Sequence, residues 1–200
     1  MVLVARQAPN FTASAVLGNG TIITNFNFKE FIKNKPAVIF FWPMDFTFVC
    51  PSELIAFDHR YKEFKLREVK VVGVSMDSEF VHNAWRKTHI NNGGIGNVQY
   101  PLVADIKHEI MQAYGIEHPE YGVALRGSFL IDQEGFVRHQ IVNDLPLGRN
   151  IDEMLRMVDA LHFYEKYHEV CPAQWEKGQK GMVASSEGVS KYLSEHSTKL

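Results

Sequence analysis

The chain alternates between short, wholly apolar runs and longer stretches of helical period. Residues 37–42, AVIFFW, are apolar throughout and too few for a helix, so they predict a strand buried on both faces. Residues 69–76, VKVVGVSM, read the same way. Between the two runs the period changes after Cys50. Leu54, Phe57, Tyr61 and Phe64 recur at helical spacing among mostly polar neighbours. Pro51 suits the first turn of such a helix, where its missing N–H leaves nothing unpaired. Upstream, residues 12–23 predict a hairpin: two β-prone runs flank Gly18-Asn19-Gly20, and Asn-Gly supplies the positive φ of a tight turn. Downstream, Ser78 is placed to cap a helix running to about His89. Residues 91–96 (NNGGIG) predict a loop, and 107–114 a short helix. Residues 128–132 and 136–142 flank DQEG as a second hairpin. Residues 151–164 form an amphipathic helix with Met154, Leu155, Val158 and Leu161 on one face.

Strands alternate with helices as far as residue 164, which predicts an α/β fold: a mixed central sheet flanked by helices. Residues 1–164 are therefore assigned to one domain. Residues 165–200 are mostly polar and are assigned to a C-terminal arm ending in a weak helix over 187–195. Such an arm must pack on its own domain or on a partner subunit.

A chain of 200 residues that is 46% hydrophobic can bury a core without staples. Its net charge of −2 and lack of clustered Lys and Arg argue against a nucleic-acid partner. No apolar run approaches the roughly 18 residues needed to span a membrane, and the start of the chain lacks a secretory signal pattern. A cytoplasmic protein is expected. In that compartment its two cysteines, Cys50 and Cys171, point to redox or catalytic work.

Cys50 is placed at the first turn of the helix that follows the strand 37–42. Outward-pointing N–H groups and the helix dipole there both favour a thiolate over a thiol. The Thr47 hydroxyl can donate to an anionic sulfur or to an oxygen bound beside it, and Pro43 and Phe46 are expected to keep water out. A buried, inert structural cysteine is the competing reading. A CxxC dithiol is excluded, because Glu53 occupies the partner position. His59 lies about 180° around the helix from Cys50 at 100° per residue and faces away, which weighs against a Cys–His hydrolase. The cysteines have no zinc-ligand spacing. His82, His89 and His108 fall in polar segments and are expected on the surface. Oxidation of Cys50 by a peroxide remains, with Cys171 available to resolve the sulfenic acid.

Pro43-x-x-x-Thr47-x-x-Cys50 followed by Pro51-Ser52-Glu53 resembles the active-site motif of the peroxiredoxins, and Glu169-Val170-Cys171-Pro172 resembles the resolving-cysteine motif of their typical 2-Cys subgroup. Arg126–Asp132 and Asn143–Arg149 are similar to two further family segments. The resemblance implies a thioredoxin-like fold with an N-terminal hairpin extension. It also implies reduction of hydrogen peroxide and organic hydroperoxides by thiol chemistry alone, with no cofactor or metal in the chain. By position, it implies that Cys50 is the peroxidatic nucleophile and Cys171 the resolving thiol, supplied by the other subunit of a homodimer as an intersubunit disulfide. Thr47 would hydrogen-bond the peroxide, Pro43 would shield the site, and Arg126 would stabilise the thiolate. Glu53 and Arg149 would orient Arg126. The implied electron donor is a thioredoxin or a flavoprotein disulfide reductase. The implied assembly is a decamer of five dimers, with a possible second activity as a holdase chaperone. Trp42 departs from the family pattern, which commonly has Tyr there: the ring still fills space, but the phenolic hydroxyl is lost.

Overall fold

A computed structural model describes residues 1–199. Strands β1 (Thr12–Val16) and β2 (Ile22–Asn27) form the first hairpin. In its turn Gly20 takes the positive φ of 84°, while the Asn19 side chain accepts from the Thr21 N–H. A short helix, α1 (Phe28–Ile32), then leads to β3 (Ala37–Phe41). Helices α2 (Cys50–His59) and α3 (Tyr61–Leu66) follow, then β4 (Lys70–Ser75), α4 (Glu79–Lys87) and β5 (Leu102–Ala104). Next come α5 (Glu109–Ala113), β6 (Arg126–Ile131), β7 (Val137–Asn143), α6 (Ile151–Tyr167) and α7 (Ser186–His196).

The seven strands form one sheet in the order β2-β1-β5-β4-β3-β6-β7. It is mixed, because β3 pairs parallel with β4 and antiparallel with β6. β3 lies inside the sheet, between β4 and β6, and all five of its residues are buried, as an uninterrupted apolar run requires. Its side chains alternate. Ala37, Ile39 and Phe41 join a core with Val72, Val74, Tyr114 and Phe129. Phe40 points to the opposite face and stacks on Phe57 of α2, with ring centroids 3.9 Å apart. Burying each such ring stabilises the fold by about 1.5–3 kcal/mol. This contact seats α2, and with it Cys50, over the end of β3.

The helix expected from Leu54 to Phe64 is broken at Arg60, whose backbone (φ −99°, ψ 2°) separates α2 from α3. β5 was not expected: it has only three residues, all buried, yet it joins β4 to β1.

The chain forms two compact units, Met1–Ile151 and a second beginning at Asp152. In the second unit, Trp175 packs its ring 4.9 Å from that of Phe163 on α6. Val170 and Met182 exchange backbone hydrogen bonds of 2.9 Å. Met154, Leu155, Val158 and Leu161 are buried, as their spacing predicts. Helix α6 thus supplies the apolar surface that the polar segment 165–200 lacks by itself. No helix among the described residues is long and apolar enough to cross a membrane.

Candidate active site

Cys50 is the first residue of α2 and is fully buried. The loop leading to it from β3 brings Thr47 within 2.9 Å of the Cys50 sulfur, while the same hydroxyl lies 2.8 Å from the Met44 carbonyl oxygen. One hydroxyl proton serves two acceptors. Opposite a thiol it can stay on Met44; opposite an anionic sulfur it can turn and donate there. Pro43 is buried in this loop. Phe46 is not the expected shield: it is 51% exposed, on a backbone with a left-handed φ of 54°.

Arg126 opens β6 and reaches across to α2. Its Nη1 lies 3.4 Å from the Cys50 sulfur and 2.7 Å from Oε2 of Glu53, and its Nε donates to the Leu145 carbonyl at 2.7 Å. Arg149 binds the same carboxylate and also donates to the Gly127 carbonyl and Ser128 Oγ of β6. Its guanidinium lies over the Phe40 and Phe57 rings, at 5.3 and 5.9 Å. Burial pushes the Glu53 carboxyl upward, but the charge and hydrogen bonds of Arg149 and the charge of Arg126 outweigh it, so its pKa falls below the ordinary 4.5. The buried side chains of Glu53, Arg126 and Arg149 therefore hold one negative and two positive charges. The excess positive charge faces sulfur, where an anion would balance it.

Cys171 lies in the second unit, half-buried, with its sulfur 3.6 Å from the Ala160 carbonyl oxygen. Burial raises its thiol pKa, and the Arg156 charge offsets this only in part. Both cysteines are free thiols.

The histidines divide. His89 is exposed and His108 half-buried, but His82 is fully buried, contrary to the surface position expected of it. It shares the buried face of α4 with Trp85 and Arg86, at the i, i+3, i+4 spacing of a helical stripe. Its Nδ1 lies 2.8 Å from Oδ2 of Asp45, a buried residue of the Cys50 loop. Asp45, Asp77 and His82 bring ligand-type atoms within 4.8 Å of one another, the spacing of a possible metal site. Those atoms already bond one another or Trp42 and Ser75.

The model of the AhpC/TSA family matches residues 4–140, and that of the C-terminal domain of 1-Cys peroxiredoxin matches residues 160–195. The chain belongs to the AhpC/TSA family. It is 60% identical over 199 residues to alkyl hydroperoxide reductase C of Buchnera aphidicola subsp. Baizongia pistaciae, covering 100% of both chains. It is 54% identical over 199 residues to alkyl hydroperoxide reductase C of Helicobacter pylori, again covering 100% of both. The crystal structure of the reduced 2-Cys peroxiredoxin of Plasmodium vivax matches with a TM-score of 0.93 at 44% identity, covering 97% of this chain and 100% of that one. The sheet and its helices are thus the thioredoxin-like fold of the peroxiredoxins, and the protein is a peroxidase of that class.

Proposed function

We propose that the enzyme reduces hydrogen peroxide and organic hydroperoxides at Cys50 and closes the cycle with Cys171 of the partner subunit. The observation that carries this reading is the convergence of Thr47 and Arg126 on one buried sulfur, at 2.9 and 3.4 Å. The Cys50 thiolate attacks the terminal peroxide oxygen, the O–O bond breaks, and the hydroxide or alkoxide leaves and takes a proton. Sulfur keeps the OH as a sulfenic acid. Thr47 and Arg126 are placed to follow the negative charge from sulfur to the departing oxygen. Cys171 of the partner subunit then attacks the sulfenic sulfur, expelling water and forming the disulfide. A thioredoxin or a flavoprotein disulfide reductase returns two electrons and two protons. The reading includes a cytoplasmic site of action and assembly as a decamer of five dimers. Phe46, Phe48 and Phe80 carry exposed rings that a further contact between copies would cover. A holdase activity would show as client protection by a Cys50→Ser variant.

The test is a single turnover. The fully reduced protein should consume one equivalent of hydrogen peroxide. Cys50→Ser should consume none, and Cys171→Ser should stop at a sulfenic acid trapped by dimedone. Consumption by Cys50→Ser would refute the assignment.

A further inference from the structure

Asp45 is held from three sides. Its Oδ1 accepts from Trp42 Nε1 at 2.9 Å, and its Oδ2 lies 2.8 Å from His82 Nδ1. Its backbone N–H donates to Oδ2 of Asp77 at 2.8 Å, an oxygen that also accepts from Ser75 Oγ at 2.7 Å. The His82 ring is fixed in turn at its far side, where Nε2 lies 3.2 Å from the Val103 carbonyl oxygen in β5. A carbonyl can only accept, so Nε2 carries a proton, and a second proton joins Nδ1 to Oδ2 of Asp45. The network thus ties the Cys50 loop to β4, α4 and β5.

Thr47 stands two positions beyond Asp45, across Phe46, whose left-handed φ of 54° is uncommon for a bulky residue. Such a conformation persists only where its surroundings impose it. Asp45 is anchored on one side of Phe46, and on the other Thr47 bonds the Cys50 sulfur. The Phe46 ring lies 5.8 Å from Trp85, one turn beyond His82 on α4. Trp42 supplies an N–H to this anchor and packs its ring 5.4 Å from that of His82, so the indole has a polar role besides filling space.

We propose that His82 is a positioning residue for peroxide reduction: by holding Asp45, it sets the loop that aims the Thr47 hydroxyl at the Cys50 sulfur. The proposal rests on the reading of Cys50 and Thr47 given above. It concerns the bond to Asp45 rather than burial of the ring, and two substitutions separate these. In His82→Asn the amide nitrogen takes the place of Nδ1 and still donates to Asp45. In His82→Gln it takes the place of Nε2 and donates to Val103 instead. Both remove part of one ring, so a general loss of packing falls on both.

Two rates should be measured for each full-length protein: oxidation of Cys50 by hydrogen peroxide in stopped flow, and alkylation of Cys50 by iodoacetamide. Alkylation reports thiolate and access without needing the Thr47 hydroxyl. The peroxide rate of His82→Gln should fall about 10- to 100-fold, the cost of misplacing a reacting group by about 1 Å. Its alkylation rate should stay close to that of the unaltered enzyme, and His82→Asn should keep most of the peroxide rate. Equal losses in the two variants would overturn the proposal, as would peroxide and alkylation rates falling together. Failure of the unaltered enzyme to oxidise at Cys50 would overturn the functional reading and this inference with it.

Discussion

Arg149 grips Glu53 at three points: its backbone N–H and its Nε each lie 2.9 Å from Oε1, and its Nη2 lies 2.9 Å from Oε2. Both side chains are 2% exposed, so water does not compete for these bonds. Glu53 thereby reaches Arg126 from a fixed position, and Arg126 reaches sulfur. The position of Arg126 beside the Cys50 sulfur is set by a carboxylate one helical turn away and by Arg149, an arginine that does not itself bond the sulfur.

Glu53→Gln keeps the shape and removes the charge. Two buried guanidinium groups would then face each other without a counter-ion. Breaking a buried pair in this way costs about 3–5 kcal/mol. At about 2–4 °C per kcal/mol for a chain of this size, the melting temperature should fall by at least about 6 °C. Thermal melts of the reduced protein check this, and an unchanged melting temperature would show that the cluster is not coupled as described.

The same group sets a pH dependence. The Glu53 carboxyl is held below its ordinary 4.5, so folding favours the ionised form. Its contribution to stability is complete above about 4.5 and is lost as the pH falls through the depressed native value. Denaturant titrations should show stability declining below pH 4.5, with a shallower decline in Glu53→Gln.

Thr47→Val removes a hydroxyl and keeps the side-chain volume. Loss of one donor to a developing oxyanion costs about 100- to 1,000-fold in rate. Stopped-flow oxidation by hydrogen peroxide should slow by that order in Thr47→Val, and Thr47→Ser should recover part of it.

Burial raises the Cys171 thiol above the ordinary value of 9.0 despite Arg156. At neutral pH it should be a poor nucleophile toward small electrophiles. In a Cys50→Ser protein, iodoacetamide should modify Cys171 more slowly than a thiol in an unfolded peptide. The rate should climb as the pH passes 9.0, and denaturant should abolish the difference.

The elements that carry the site were legible in the sequence. The all-apolar run 37–42 reads as a fully buried strand because a sheet covered on both faces needs no alternation. The change of period after Cys50 places the thiol at a helix start, and the motif positions Thr47, Arg126, Glu53 and Arg149 come together around it. The remainder depended on tertiary context. β5 is too short to show a period, and the break at Arg60 interrupts a pattern that stays helical on both sides. His82 looked like a surface residue because its neighbours are polar. Its spacing to Trp85 was the available signal, but only the fold shows the carboxylate of Asp45 waiting for it. Arg86, buried on the same face with bonds to the Gly18 and Val98 carbonyls, was hidden for the same reason.

The central claim is that Cys50 is a thiol placed to be oxidised and then resolved by Cys171 of the partner subunit. One equivalent of hydrogen peroxide added to the reduced protein, followed by a non-reducing gel and peptide mass mapping, tests it directly. The account predicts a covalent dimer linked Cys50 to Cys171. A Cys50 left unoxidised while peroxide remains would contradict it, and the buried sulfur beside Arg126 would then be structural.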